Sequence, residues 1–328
     1  MTQASLQRLL LVPAAVLLAA WLSLLTAPAL AQAPVQRIVV PFPPGGAADS
    51  FARLLAQKMQ EGTPGTQVVV DNKPGAGGVI GSDAVAKAAA DGNTLLLVTV
   101  GHAVNPFIVA KLPFDARADF VPVGVVANVP SLIVTGPAFT GKTLRELLAQ
   151  AKASPGKLEF ASSGTGSTSH VAAALIESMA GVDMLHVPYK GAAPALQDVM
   201  GGRVAMTVDI ITSSVQLVKS GKLQALAITG ARRSPLLPEV PTAAEAGLPG
   251  YEFSAWYLLL APAKTPAATV QKLNAELRRI EALPEFQARL REVGAEGLSL
   301  DPAQSAAFLE REFAKWAKVV KDRNIKAD

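Results

Sequence analysis

Short apolar runs alternate with helical patterns along most of the chain. After Gln36 the order is a strand over 37–42, a helix over about 47–60, a strand over 67–71, a helix over about 78–90 and a strand over 94–100. Such alternation is typical of a parallel sheet whose strands are joined by crossover helices. The first part of the chain is therefore predicted to form an α/β lobe.

The middle of the chain repeats this pattern. The runs LEFAS, MLHVPY, VAMTVDI and LQALAIT predict strands, and the segments between them predict helices over 169–179, 193–200 and 212–221. Two extended apolar segments, 120–135 and 256–261, can cross between two lobes. We therefore expect one lobe over 32–125 and 255–328 and a second over 126–254, each with a mainly parallel sheet.

The end of the chain has helical patterns. Thr265-Pro266 and Asp301-Pro302 each combine a capping residue with a proline suited to a first helical turn. Four large apolar residues then recur at helical spacing, which predicts core contacts rather than a functional surface: Phe308, Phe313, Trp316 and Val320.

The N-terminal segment predicts export. An apolar run over 9–25 follows Arg8 and precedes Ala29-Leu30-Ala31, a small-x-small cleavage site. This arrangement is typical of a secretory signal peptide over 1–31, cleaved after Ala31. An uncleaved membrane anchor is the alternative, since the run approaches the ~20 residues that a spanning helix needs. Cleavage leads us to expect a periplasmic protein.

Composition excludes several classes of function. The chain has no cysteine, which excludes disulfides and thiolate metal sites, and only 3 histidines, which argues against a histidine-rich metal centre. Its formal net charge of +4 is small for 328 residues, and the basic residues are scattered. Nucleic-acid binding is therefore not expected. No cofactor or metal is predicted.

The loop after the first strand is the first candidate site, because parallel sheets bind ligands at the carboxyl ends of their strands. Glycines there let the backbone approach a ligand, and the following helix N-terminus attracts anions. A tight turn that merely requires glycine is the alternative, and Asp49 also suits a first helical turn. The candidate residues are Phe42, Pro44, Gly45, Gly46, Ala47 and Asp49.

Loops at the strand ends of the second lobe are the other candidates. One loop is rich in hydroxyl groups and glycine at a helix start, which suits an oxyanion. The other loops could offer a ligand an apolar cover, a positive charge and a carboxylate. Each alone is more often structural, but all are expected at one edge of the sheet. These candidates are Ser163, Thr165, Gly166, Ser167, Thr168, Ser169, Tyr189, Lys190, Gly191 and Asp209.

Two other activities are alternatives, nucleotide binding and hydrolysis. The stretch GPAFTGKT over 136–143 fits a phosphate-loop pattern, but Pro137 removes a backbone N–H, and Thr143 with Glu146 fits a helix-capping box. The stretch is therefore interpreted as a surface loop before a helix. An exported hydrolase is the second alternative, although the chain lacks a G-x-S-x-G elbow.

Four long stretches together resemble the solute-binding proteins of tripartite tricarboxylate transporters, the Bug receptors. They begin PFPPGGAADS, VVVDNKPGAGG, HVPYKGAAPA and GKLQALAITG, and the likeness spans the mature chain. The resemblance implies a two-lobed, type II-like periplasmic binding protein with two crossing strands, a monomer, that closes on a small carboxylate and delivers it to membrane permease subunits. A sensor for a signalling partner would use the same site.

The resemblance also implies which groups hold the ligand. Main-chain amides over 42–47 and ordered waters would bind its carboxylate, while 163–169, 189–191 and the end of the strand at Asp209 would supply the second lobe's contacts. The chain departs from the family pattern at Thr99-Val100-Gly101-His102 and after Asp209. His102 is therefore a candidate for an altered pocket wall, and the ligand's identity stays open.

Overall fold

The computed structural model describes residues 35–63 and 65–326, so the predicted signal peptide lies outside the described residues. The strands are β1 Val35–Val40, β2 Gln67–Asn72, β3 Thr94–Val98, β4 Phe120–Thr135, β5 Glu159–Ser162, β6 Leu185–Pro188, β7 Met206–Ile210, β8 Gln224–Ile228 and β9 Ser254–Pro262. The helices are α1 Ala47–Gly62, α2 Val79–Ala86, α3 Gly101–Ile108, α4 Leu144–Ala153, α5 Thr168–Ala180, α6 Ala192–Met200, α7 Ile211–Lys219, α8 Ala267–Glu281, α9 Pro284–Glu292 and α10 Pro302–Arg323.

The strands form two groups that share β4. One group has the order β2-β1-β3-β9-β4, and the other continues β4-β7-β5-β6, with β8 also paired to β4. β1 is parallel to β2 and β3, and β5 is parallel to β6 and β7. The predicted α/β class with parallel strands in each group and two long connecting strands is confirmed, and the connecting strands β4 and β9 pair antiparallel with their neighbours.

The strand registers make the carboxyl edges of the two groups face one another. Val98, at the end of β3, pairs with Leu258, which pairs in turn with Val125 of β4. Ile210, at the end of β7, pairs with Ser131 of β4 from the opposite direction. About six residues of β4, roughly 20 Å at the usual strand rise, therefore separate the two edges.

The C-terminal helix α10 packs against both groups. Phe313 and Trp316 are fully buried, and the Glu312 carboxylate accepts N–H bonds from Trp256 of β9 at 2.8 Å and from Trp316 at 3.0 Å. Arg323 donates to Glu177 of α5 at 2.8 Å. The predicted core role of this helix is confirmed.

Helix α3 was not predicted. Its sequence GHAVNPFI begins with glycine and contains Pro106, which lacks an N–H and disfavours a helix interior. The helix spans only 8 residues and is held by packing rather than by propensity. Within the described ranges, no helix combines the length and apolar character needed to cross a membrane.

Candidate functional site

The loop between β1 and α1 exposes its main chain. Gly45 has a φ of 85°, a left-handed conformation that favours glycine, and no atom lies within 4 Å of a Cβ built on it. Gly46 begins α1, and no side chain caps this helix N-terminus. Pro44 is exposed and Ala47 half-buried. The loop therefore presents uncapped N–H groups and a partial positive charge to an open space.

Asp49 holds this loop from within α1. Its Oδ2 accepts the Gly45 N–H at 3.0 Å and the Arg53 Nε–H at 2.9 Å, while the residue as a whole is only 4% exposed. The bond from Arg53 keeps the pKa of Asp49 below its usual value. Oδ1 has no hydrogen-bond partner among the described residues. Oδ2 thus fixes the loop, whereas Oδ1 is enclosed by the surrounding residues.

A glycine-rich segment that was not among the predicted site residues packs against this loop. Gly75, Ala76, Gly77 and Gly78 all have positive φ, at 134°, 48°, 63° and 96°. A Cβ on Gly78 would lie 3.6 Å from Pro41, so the segment approaches the first loop closely. The sequence signal for this segment is the P-G-A-G-G string that follows β2. Since β2 is parallel to β1, the loops after the two strands lie at the same edge of the sheet.

Side-chain amides join these loops at the carboxyl edge. Asn72 donates to the Phe42 carbonyl at 3.2 Å, and Asn105 of α3 donates to the Gly77 carbonyl at 3.1 Å. Both bonds fix main-chain groups of the edge. These amides, absent from the predicted set, therefore support the first loop.

The hydroxyl groups of the loop over 163–169 mostly bond to one another. Ser169 Oγ accepts the Ser163 N–H at 2.8 Å and lies 3.1 Å from both Ser163 Oγ and Ser167 Oγ. Ser167 caps α5 by accepting from the His170 N–H. Thr165 and Thr168 are half-buried. The excess of hydroxyl groups is thus largely explained by the folding of the loop itself.

Gly166 brings this loop to the other group of strands. A Cβ on Gly166 would lie 2.6 Å from Ile108 Cδ1, at the end of α3. Its φ of 74° also favours glycine. Glycine here therefore permits close contact across the space between the two edges.

Two stacked histidines lie beneath the loop. The rings of His170 and His186 are 3.8 Å apart and nearly parallel, and Phe160 stacks on His186 at 4.9 Å. His170 Nδ1 accepts the Gly166 N–H at 3.0 Å. Burial, aided by His186, lowers the pKa of His170 to about 3, so the ring is a neutral acceptor. No local sequence pattern predicts this stack.

Ser162 and His186 form a close pair, with Oγ 2.6 Å from Nε2. Such a pair could suggest a nucleophile, but Ser162 is completely buried. Its Oγ also accepts the Gly164 N–H at 3.1 Å and donates to the Gly164 carbonyl at 3.2 Å. This serine therefore folds the loop and cannot reach a substrate.

The loop after β6 contains Tyr189, Lys190 and Gly191. The Tyr189 hydroxyl donates to Asp198 of α6 at 2.6 Å, and burial with this bond raises the pKa of Tyr189 to about 12. Lys190 is exposed. Gly191 begins α6 with a φ of 116° and open space around it. Tyr189 is thus fixed in place, whereas Lys190 is accessible.

Asp209 lies near the end of β7, at the same edge. It is 5% exposed, and its Oδ2 has no hydrogen-bond partner among the described residues. Burial raises the pKa of Asp209 to about 7, against the smaller opposing effect of Ser214. Near neutral pH this carboxyl can therefore accept or donate a hydrogen bond.

His102 is placed in the core. Its ring contacts Phe114, Phe120 and Phe313, and Nε2 lies 3.0 Å from the Ala116 carbonyl oxygen. Burial lowers the pKa of His102 to about 4. Packing and one hydrogen bond explain why His102 is buried at this position. The glycines of the first loop are exposed instead.

The stretch GPAFTGKT forms a structural turn. Thr143 and Glu146 form the predicted capping box at the start of α4, and Phe139 is buried. A Cβ on Gly136 would lie 1.8 Å from the Val199 carbonyl oxygen. The interpretation as a loop before a helix is confirmed. Over 35–63 and 65–326, no three His, Asp or Glu side chains are grouped to hold a metal ion.

Comparisons with known proteins agree with this architecture. Residues 51–325 match the family described as "Tripartite tricarboxylate transporter family receptor". Protein BugT of Bordetella pertussis is 39% identical over 89% of this chain and 90% of its own. The structure of Rpa4515 from R. palustris with adipate is 37% identical, with a TM-score of 0.78 over 89% of this chain and 98% of that one.

A further solved structure is MatC from Rhodopseudomonas palustris with bound malate. It is 35% identical, with a TM-score of 0.75 over 87% of this chain and 98% of its own. Members of this family are substrate-binding proteins rather than enzymes. The chain belongs to the receptor family of the tripartite tricarboxylate transporters.

Proposed function

We propose that this protein is a periplasmic receptor that captures a small carboxylate between the two facing carboxyl edges and delivers it to the membrane permease subunits of a tripartite tricarboxylate-type transporter. The observation that carries the proposal is the exposed main chain at the start of α1, where no side chain caps the helix at Gly46 and the Asp49 carboxylate holds the Gly45 N–H. Consecutive N–H groups at a helix N-terminus suit a carboxylate. The adipate and malate in two related structures support this chemistry.

The opposite edge supplies the second set of contacts. Gly166 lies against Ile108, so the hydroxyl-rich loop approaches α3 of the first group. Thr165, Thr168 and the exposed Lys190 can then contact the far end of a ligand held by the first loop. The lobes in this proposal are 32–125 with 255–328, and 126–254.

A thermal-shift screen tests the proposal. The protein is unfolded and refolded to remove ligand carried from the cell, then melted with C3 to C10 mono- and dicarboxylates, hydroxy acids, acidic amino acids and aromatic acids, and separately with Mg-ATP. A ligand that binds only the folded state adds about 2.7 kcal/mol at a hundredfold excess over Kd. We expect a midpoint increase of roughly 5 °C with at least one carboxylate.

The screen also separates the alternatives. A shift with Mg-ATP and none with any carboxylate would overturn the proposal. Product formation from candidate esters would indicate a hydrolase instead. Capture of the ligand-loaded protein by membranes that contain the permease would support delivery, whereas capture by a signalling receptor would support sensing. Cell fractionation tests the periplasmic location.

A further inference from the structure

A second cavity lies beside the middle of β4, where Asn128 and Pro130 line it. It has a volume of about 730 Å³ and none of the residues over 42–49 or 163–169 line it. Its walls come from β4 at Asn128, from the segment after β8 and from the segment that follows α8. The cavity is therefore a separate site of ligand size.

The floor of this cavity contains a buried carboxylate. Glu281 is 6% exposed, and its Oε1 has no hydrogen-bond partner among the described residues. Burial raises the pKa of Glu281 to about 7, against the smaller opposing effects of hydrogen bonding from Ser299 and of Arg278, which lies on the same helix and is exposed. A buried carboxylate without a cation is costly, so a cation placed beside it would be favoured.

The walls above Glu281 are apolar and the rim is charged. Ile228, Leu290 and Ala295 line the cavity and are each no more than 5% exposed. At the rim, Arg232 pairs with Glu296 at 2.7 Å, and Arg233 pairs with Glu245 at 2.9 Å. These two arginines and Arg291, which also lines the cavity, are all exposed, so their repulsion of a cation is screened by solvent.

We propose that this cavity binds a small amphipathic cation, with an amidinium or ammonium group on Glu281 and an apolar body against Ile228 and Leu290. An amidinium can donate two parallel N–H bonds to a carboxylate, which is the stronger form of this contact. None of the loop residues of the carboxylate site proposed above lines this cavity.

Benzamidine and benzamide test the proposal by titration calorimetry at pH 8. The two probes share shape, but only benzamidine carries a charge. We expect saturable binding of benzamidine to the full chain and at least tenfold weaker binding of benzamide. The Gly46→Val variant, altered at the other site, should bind benzamidine like the wild type, which separates this site from the proposed carboxylate site.

Two matched variants locate the probe. Glu281→Gln should weaken benzamidine binding at least tenfold, whereas Glu252→Gln, which alters an exposed carboxylate lining the same cavity, should change it less than twofold. Absence of saturable binding, equal binding of benzamide, or unchanged affinity in Glu281→Gln would each overturn the proposal. If Glu281→Gln does not fold, a crystal of the wild type soaked in benzamidine provides the test. An amidinium group more than ~3.2 Å from the Glu281 carboxylate would refute the proposal.

Discussion

The Asp49 carboxylate accepts the backbone N–H of Gly45 across 3.0 Å, so the helix that follows the glycine loop also fixes its shape. Arg53, one turn further along α1, donates to the same oxygen. The acidic residue therefore orients the exposed amides instead of filling the space in front of them.

Removal of this carboxylate should loosen the loop. Because hydrogen bonds to charged groups contribute about 1.5–3 kcal/mol, Asp49→Ala should lower the free energy of unfolding by that amount and weaken carboxylate binding. Arg53→Met, which alters the exposed partner of the pair, should lower the free energy of unfolding less than Asp49→Ala does, because solvent screens an exposed charge. Urea unfolding and calorimetry measure both. Equal effects of the two variants would contradict the role assigned to the Gly45 bond.

The lowered pKa of Asp49 also predicts a pH dependence. Since its folded-state pKa lies below the unfolded value of about 3.9, its stabilising contribution is present above pH ~4 and is lost as the pH falls through the folded-state value. Asp49→Ala should therefore differ less from the wild type under acid conditions than at pH 7. Unfolding curves from pH 2.5 to 7 provide the measurement.

Gly46 tests whether the loop contacts the ligand. Its φ of −81° and ψ of 174° suit any residue, and the nearest atom to an added Cβ is 3.9 Å away. Gly46→Val should therefore fold with a midpoint within about 2 °C of the wild type, yet lose the ligand-induced shift because its side chain fills the proposed carboxylate position. Ala267→Val is the control: it places a valine at the exposed start of α8 and should bind the carboxylate normally. Normal binding by Gly46→Val would place the ligand elsewhere.

Asp209 should make stability fall as the pH rises. Its folded-state pKa of about 7 lies above the unfolded value, so the folded state holds the proton more tightly than the unfolded state does. The contribution of this proton to the free energy of unfolding is complete below pH ~4 and is lost as the pH rises through 7. Asp209→Asn removes this dependence. Between pH 4 and pH 8.5, its free energy of unfolding should therefore rise by up to about 4 kcal/mol relative to that of the wild type. A constant difference across that range would show that the carboxyl titrates normally.

The crossing strands predict a hinge. The pairing of β4 with β9 is irregular between Pro122 and Gly124 and between Val125 and Ala127, where extra residues interrupt the ladder. We expect closure of the proposed lobes around this region and near Ser254–Tyr257 when a carboxylate binds. Small-angle scattering should show a smaller radius of gyration at saturation for the wild type and no change for Gly46→Val. An unchanged wild-type radius would argue against a hinge here.

Periodicity and local chemistry predicted much of the fold. The β4 strand over Phe120–Thr135 was placed at its observed bounds, and the Thr143–Glu146 capping box needed only its own short sequence. The Asp301-Pro302 helix start was likewise readable, because caps act over three or four residues. Helix α3 was missed because packing overrides the unfavourable Pro106.

The site was less accessible to sequence reasoning. The loops could be placed at strand ends, but the mutual bonding of Ser163, Ser167 and Ser169 depends on the path of the folded loop. The His170–His186 stack joins residues from a helix and a strand that only the tertiary fold brings together. The lack of a partner for Glu281 Oε1 likewise depends on every neighbouring segment, so no local pattern could reveal it.

The position of β9 in the sheet has a consequence for biosynthesis. β9 lies between β3 and β4, although four other strands precede it along the chain after β4. Until residues 254–262 have joined the folding chain, the inner edges of β3 and β4 lack their partner, and such unpaired apolar edges invite self-association. A chain truncated before Ser254 should therefore require a chaperone to stay soluble, whereas one that extends past Pro262 can complete the sheet.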